Sequence, residues 1–235
     1  MTSIRISQAL STTAAATQPS ALRRRALSVT VASVGLLLAA PLMAVIALLI
    51  KLTSRGPVFF QQTRIGLDRR GGSKSAGSNR RGPDCGGKPF VIYKFRTMAT
   101  NGYAWNGDGN EQVWAKPNDP RVTRIGRWLR LYRLDELPQL LNVLRGDMDI
   151  VGPRPEQPAI FAQLRTQIER YQERQRVRPG ITGWAQVNLH YDTSVESARD
   201  KVSYDLEYVE RQSVLEDLRI MLRTVPVVVL KRGAW

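Results

Sequence analysis

From Leu27 to Ile50 the chain carries no charged residue. At about 1.5 Å of rise per residue, a helix of that length covers the roughly 30 Å of a bilayer's hydrocarbon layer. The run is longer than the apolar region of a cleaved signal peptide, and too uniformly apolar for the core helix of a soluble protein. The pattern therefore predicts a membrane helix over 23–52, preceded by a flexible Ser/Thr/Ala-rich tail at 1–22. Basic residues flank both ends, Arg23 to Arg25 before and Lys51 and Arg55 after, so charge gives no clear inside–outside asymmetry. Pro41 near the middle removes a helical hydrogen bond and favours a bend. A kinked helix that enters and leaves by one face satisfies both features; a straight single span is the alternative.

Beyond the helix the pattern shortens. Pro57-Val58-Phe59-Phe60 reads as a strand-like piece closed by a turn at Arg64 and Gly66, and 67–88 is a glycine-rich basic insertion with nothing to pack. Residues 89–98 alternate as a strand, which puts Lys94 and Arg96 on one face, either to meet an anion together or as a solvated strand face. A turn-rich loop over 101–120 precedes arginines at 121, 124, 127, 130 and 133, interleaved with Ile125, Trp128, Leu129, Leu131 and Tyr132. A helix there is basic on one side and apolar on the other, fit for a membrane interface or for packing on a core. Further on, helices are expected over 156–177 and 195–212, a tight turn over 178–184 and a strand over 185–188. Val214 to Leu230 is apolar but carries Glu216, Asp217, Arg219 and Arg223, so it reads as an amphipathic helix on the domain or at the membrane surface.

Composition narrows the chemistry. The formal net charge of +15 over 235 residues points to polyanions: nucleic acid, anionic headgroups or phosphate-rich substrates. A single cysteine, Cys85, excludes a disulfide framework within the chain, and a single histidine, His190, excludes multi-histidine zinc sites. No Walker A motif, dinucleotide fingerprint or kinase motif set is present. A membrane-anchored nucleic-acid binder accounts for the charge alone, without a recognised motif to support it.

The stretch RLDELPQLLNVLRGDMDIVGPRP (133–155) concentrates the candidate chemistry. Asp135 and Glu136 open a short apolar helix that stops at Gly146, and an acidic turn leads to Pro153-Arg154-Pro155. An aspartate at a helix start is also a good cap for structural reasons alone. A carboxylate can attack phosphorus to form an acyl phosphate when phosphate charge is neutralised by cations, and Mg²⁺ accepts a site of one or two carboxylates plus substrate phosphates.

The blocks PFVIYKFRTM, DPRVTRIGRWLR, LDELPQLLNVLRGDMDIVGPRPE, RPGITGWAQVN and YDLEYV, in this order, resemble the bacterial sugar transferases over roughly residues 22–235. These are small monotopic phosphoglycosyl transferases that start polysaccharide and glycan assembly on polyprenyl phosphate. The resemblance implies transfer of a sugar 1-phosphate from a UDP-sugar to undecaprenyl phosphate with release of UMP, at the inner leaflet of the bacterial cytoplasmic membrane with the catalytic part facing the cytoplasm. It implies Asp135 as covalent nucleophile, Glu136 as its partner, and Mg²⁺ held by Asp135 and Glu136. Arg154 and Pro153 would form a phosphate clamp, with Lys94, Arg96 and Arg178 as further phosphate or substrate contacts. The fold class expected is mixed α/β, mainly helical. A kinked re-entrant membrane helix precedes a compact catalytic domain over 53–235, built of a small β-sheet and amphipathic interfacial helices. No nucleic-acid partner is expected, and a homodimer is left open. Three departures stand out: the long 67–88 insertion, Ala40-Pro41 where small family members carry Ser-Pro, and no four-helix membrane region ahead of the catalytic part. A catalytically dead scaffold is the remaining alternative, against which the intact Asp-Glu pair speaks. The sugar itself is not encoded in these blocks.

Overall fold

The computed structural model describes residues 18–68, 85–99, 119–189 and 195–230. Residues 1–17 of the expected 1–22 tail, the middle of the 67–88 insertion, most of the 101–120 loop and His190 lie outside them, whereas 18–22 are helical rather than tail.

Helix α1 (Gln18–Thr53) carries the apolar run, with Pro41 inside it, and is long and apolar enough to cross a membrane. Leu37, Leu38, Leu48 and Leu52 are exposed, whereas Ala32, Ile46 and Ile50 are buried against the rest of the protein. Its end follows from local chemistry. Thr53 Oγ1 donates back to Leu49 O at 2.6 Å, and Ser54-Arg55-Gly56-Pro57 then breaks the helix, with Gly56 at a φ of 120°.

Strands β1 (Phe59–Ile65) and β2 (Pro89–Phe95) form an antiparallel pair, in register from Phe59 opposite Phe95 to Ile65 opposite Pro89. The strand-like piece expected at 57–60 is a strand that begins only at Phe59 and runs through Arg64, where a turn was expected, to Ile65. Helix α2 (Arg124–Leu131) is capped by Thr123, whose Oγ1 accepts from Gly126 N at 2.9 Å. Gly126 has a packing reason: a Cβ there would lie 2.0 Å from Thr97 O.

A 3-10 turn (Leu134–Glu136) leads into α3 (Gln139–Arg145), which stops at Gly146 with φ 86°, the left-handed ending expected for that glycine. Strand β3 (Asp149–Val151) pairs in parallel with β4 (Gly180–Thr182). Helices α4 (Pro158–Gln167), α5 (Trp184–Asn188), α6 (Val195–Arg211) and α7 (Val214–Val229) complete the described fold, with a second 3-10 turn at Tyr171–Arg176.

Two expectations are corrected. The strand placed at 185–188 is helix α5, and the strand role falls to Gly180–Thr182 within the supposed tight turn. Only glycines tolerate this pairing, since a Cβ on Gly180 would sit 2.1 Å from Gly152 N, and a four-residue alternation is too short to separate strand from helix. The single helix over 156–177 is two pieces, broken where Ile168 is extended and Arg170 is left-handed at φ 59°. Leu164, Ile168 and Tyr171 share one buried cluster all the same, so the apolar spacing reported burial without reporting the break.

Three apolar clusters hold these pieces together. One joins Ala32 of α1 to Phe90, Ile92, Val143, Ile150, Tyr208 and Ile220. A second lies beneath β1, α4 and α6, and the third packs Ile46 and Ile50 of α1 on Phe95 and Leu129.

Candidate active site

Asp135 and Glu136 sit in the 3-10 turn between α2 and α3, at 9% and 8% exposure. The chain reaches them through Arg133, which is left-handed at φ 54° just past the end of α2. Neither carboxylate caps a helix: no side chain makes a cap bond at Arg133 or at Pro138, so the capping role expected for Asp135 is not what holds it.

The two carboxylates are treated unequally. Lys94 Nζ and Arg154 Nη2 both donate to Glu136 Oε1, each at 2.8 Å. Burial alone would push Glu136 up, but the charges of Arg154 and Lys94 and their hydrogen bonds hold it well below the usual carboxylate range. Asp135 accepts no hydrogen bond or ion pair among the described residues. Burial raises it above the ordinary aspartate value; Lys94, Arg130 and Arg154 pull the other way, and the Glu136 charge adds to the rise. One carboxylate is thus locked in an ionised cage while its neighbour has a free oxygen edge and a less stabilised charge.

The segment carrying Arg154 is fixed along its backbone. Its two prolines have no N–H to satisfy, and each carbonyl finds a donor. Pro153 O accepts from Gly180 N at 3.0 Å, Arg154 O from Arg174 Nη2 at 3.1 Å, Pro155 O from Arg64 Nη1 at 3.3 Å and Glu156 O from Ile65 N at 3.0 Å. Arg174 is 1% exposed and bound through Nε to Asp205 Oδ2 at 2.7 Å. It was not singled out by sequence, where it reads as one arginine among many in a polar helix.

Lys94, Arg154, Asp135 and Glu136 are therefore brought together, and Pro153 is buried in the clamp backbone. Arg96 is not part of that group. Its guanidinium donates to Arg55 O at 2.6 Å, Ser54 O at 2.8 Å and Ser54 Oγ at 2.7 Å, closing the carbonyl end of α1. The expected strand over 89–98 ends at Phe95, so Arg96 lies just past β2 and its guanidinium turns to α1 rather than joining Lys94. Arg178 Nε donates to Gly146 O at 3.1 Å and lies 3.7 Å from Asp149 Oδ2, so in this structure it braces the α3–β3 turn.

Asn142, fully buried, was also missed. Its Oδ1 accepts from Tyr93 N at 3.1 Å and its Nδ2 donates to Val91 O at 2.6 Å. It thereby stands in for a third strand along β2 and fixes the helix after the carboxylates to the strand that carries Lys94. A lone polar residue in a helix gives no sequence signal for this.

As for a cation, no group of three or more acidic, histidine or cysteine ligands occurs among the described residues. The free edge of Asp135 suits one hard cation with oxygen ligands, which would then depend on substrate oxygens. Glu136 Oε1 is already committed to two cationic donors.

The sequence model of the bacterial sugar transferases matches residues 19–231, and the chain belongs to that family. It is 43% identical over 216 residues to a UDP-glucose:undecaprenyl-phosphate glucose-1-phosphate transferase of Caulobacter vibrioides, covering 91% of this chain and 72% of that protein. A transferase of the same description in Escherichia coli is 42% identical, over 87% of this chain and 39% of its own length. A UDP-N-acetylgalactosamine-undecaprenyl-phosphate N-acetylgalactosaminephosphotransferase of Aeromonas hydrophila is 37% identical, over 90% of this chain and 44% of its own. The chain thus spans less than half the length of the latter two relatives.

Proposed function

We propose that this protein is a phosphoglycosyl transferase that moves a sugar 1-phosphate from a UDP-sugar to undecaprenyl phosphate, the first membrane-bound step of polysaccharide assembly. The observation that carries this is the unequal carboxylate pair: Asp135 buried and unpartnered beside Glu136, which Lys94 and Arg154 clamp at 2.8 Å. The names of the relatives support the substrates, and their different sugars leave the sugar open.

In this mechanism an Asp135 oxygen attacks the sugar-bearing phosphorus of the UDP-sugar. The bridging P–O bond breaks, UMP leaves with the electron pair, and an aspartyl phosphosugar forms. An oxygen of undecaprenyl phosphate then attacks the same phosphorus, the Asp135–phosphorus bond breaks, and the carboxylate is restored. Burial strips water from Asp135 and leaves its charge poorly satisfied, which favours attack. Lys94 and Arg154 face the phosphate oxygens as negative charge builds. Glu136, held ionised, keeps those two cations in place rather than accepting a proton. Mg²⁺ held by Asp135 and the substrate diphosphate would supply further charge neutralisation.

Membrane placement follows the same reading. Arg24 and Arg25 near the start of α1, and the Ser54 and Arg55 carbonyls just past its end, are all hydrogen-bonded to the body of the protein. That supports a re-entrant α1 with both flanks on the cytoplasmic side. The exposed Trp128 stacked on Tyr132, and the exposed Leu215, Leu222 and Val229 of α7, supply interfacial surfaces. Cysteines placed before residue 26 and after residue 51 should be labelled from the same side; labelling from opposite sides defeats the re-entrant assignment.

The deciding experiment uses purified full-length protein with Mg²⁺, undecaprenyl phosphate and a panel of UDP-sugars. UMP release is expected with at least one sugar. Intact-mass analysis without the lipid should show one added sugar phosphate, mapping to Asp135. Full activity in Asp135→Asn would overturn the nucleophile.

A further inference from the structure

The first turns of α1 hold buried polar groups that a purely lipid-embedded helix would not carry. Arg24 is 6% exposed and Ser28 3%. With Arg25, they occupy positions i, i+1 and i+4, which share one helix face.

That face grips β3 residue by residue. Arg25 Nη1 donates to Met148 O and to Asp149 Oδ1, each at 2.8 Å, and its Nη2 donates to Val143 O at 2.5 Å. Ser28 Oγ accepts from Ile150 N at 3.2 Å. Arg24 donates to the Tyr208 hydroxyl and, through Nε, to Asp217 Oδ2 at 2.9 Å. The Tyr208 hydroxyl lies 3.1 Å from Val151 O and 2.7 Å from Asp217 Oδ1. Asp149, Ile150 and Val151 are thus held directly by Arg25, directly by Ser28, and by Arg24 through Tyr208. One glycine later the chain enters Pro153-Arg154-Pro155.

We infer that Arg24, Arg25 and Ser28 are positioning residues for the reaction: by fixing β3 they set where Arg154 meets Glu136, so that the clamp is formed only when α1 is seated. The inference rests on the transferase reading for its kinetic consequence, but not for its structural one. A guanidinium that serves three acceptors at once is not replaced by an ammonium. A displaced Arg154 meets the diphosphate of the bound UDP-sugar less well before the reaction as well as during it, so the displacement is read in KM and not in kcat alone.

The test compares full-length wild type with Ser28→Ala, Arg25→Lys and, as a control on the exposed apolar face, Leu37→Ala. Backbone hydrogen exchange over 148–156 needs no substrate. Both inner-face variants should exchange faster there, and Leu37→Ala should match wild type. In UMP release, the KM for the UDP-sugar should rise about fivefold in Ser28→Ala and about tenfold in Arg25→Lys. Mere loss of folded protein would scale kcat and leave KM alone. Unchanged exchange in both inner-face variants overturns the inference, and so does faster exchange with an unchanged KM. A wild type that releases no UMP from any UDP-sugar sinks the transferase reading instead, and the exchange result still decides whether α1 holds the strand.

Discussion

Lys94 and Arg154 converge on one atom, Glu136 Oε1, each at 2.8 Å and from opposite sides of the sequence position they serve. Two cations hydrogen-bond directly to one carboxylate, while its neighbour feels cationic charge only at a distance. Two groups sharing one acceptor act as a unit, so their deletions should not add. We expect Lys94→Met and Arg154→Met each to lower kcat/KM for UMP release about 30- to 100-fold, and the double variant to lose well short of the product. A double-mutant cycle measures this; strict additivity would mean the two act at separate steps.

The inequality within the pair has a pH signature. Asp135 is raised by burial, so the proposed nucleophile is protonated at pH values where an ordinary aspartate, near about 3.9, is already ionised. UMP release should therefore fall on an acid limb lying above that value. Glu136 is held low by Arg154 and Lys94 and contributes no limb near neutrality. In Glu136→Gln the neighbouring charge that raises Asp135 is gone and both cations are freed. The acid limb should move to lower pH while kcat falls about 100-fold. A limb that stays put would remove Asp135 as the titrating group.

The same shift works on stability with the opposite sign to a salt-bridged carboxylate. A carboxyl raised in the folded state binds a proton that the unfolded chain has released, so the stability it contributes is lost as pH rises from about 3.9 through the raised value. Asp135→Asn should abolish UMP release by at least about 10³-fold while its thermal midpoint at neutral pH equals or exceeds wild type. Stability gained by removing a functional group marks a site held against its own folding preference. A clear drop in midpoint would recast Asp135 as structural.

Arg96 and Asn142 show what the sequence could and could not carry. The apolar run of α1, the alternation of β2 and the stop at Gly146 are local properties, written in spacing and backbone preference, and each was legible. The meeting of Lys94 with Glu136 needed only the strand and the motif to be neighbours, which the family blocks imply. Arg96 lies two residues from Lys94, yet it serves the end of α1, because three acceptors at Ser54 and Arg55 lie within its reach. Asn142 looks like a polar residue on a helix and is in fact the edge partner of β2. Long-range hydrogen bonds of this kind leave no periodic trace. Nor does the grip of Arg24, Arg25 and Ser28 on β3, since arginines before a membrane helix are already accounted for by charge.

These assignments separate two kinds of damage. Arg96→Ala leaves three acceptors at the end of α1 without their donor and should cost about 2–3 kcal/mol of stability. The KM for the UDP-sugar should stay within about twofold of wild type. Asn142→Ala leaves Tyr93 N and Val91 O without their side-chain partner at a part-buried edge and should cost about 1–2 kcal/mol. Denaturant unfolding beside steady-state kinetics checks both. A large KM effect from Arg96→Ala with unchanged stability would return Arg96 to the substrate site.

The proposed Mg²⁺ dependence can be tested from how the acidic oxygens are engaged. Among the described residues no cluster of three acidic ligands exists, and Glu136 Oε1 is taken up by Lys94 and Arg154. A single free carboxylate edge at Asp135 gives Mg²⁺ too few ligands to hold it against water, so substrate phosphates have to complete the shell. Titration calorimetry of the protein with Mg²⁺ alone should show no binding below millimolar concentrations, while the same titration with a UDP-sugar present on Asp135→Asn should gain little. Chelation with EDTA should stop UMP release in wild type, and added Mg²⁺ should restore it. Micromolar Mg²⁺ binding to the substrate-free protein would mean that the oxygen set at Asp135 and Glu136 is richer than this geometry allows.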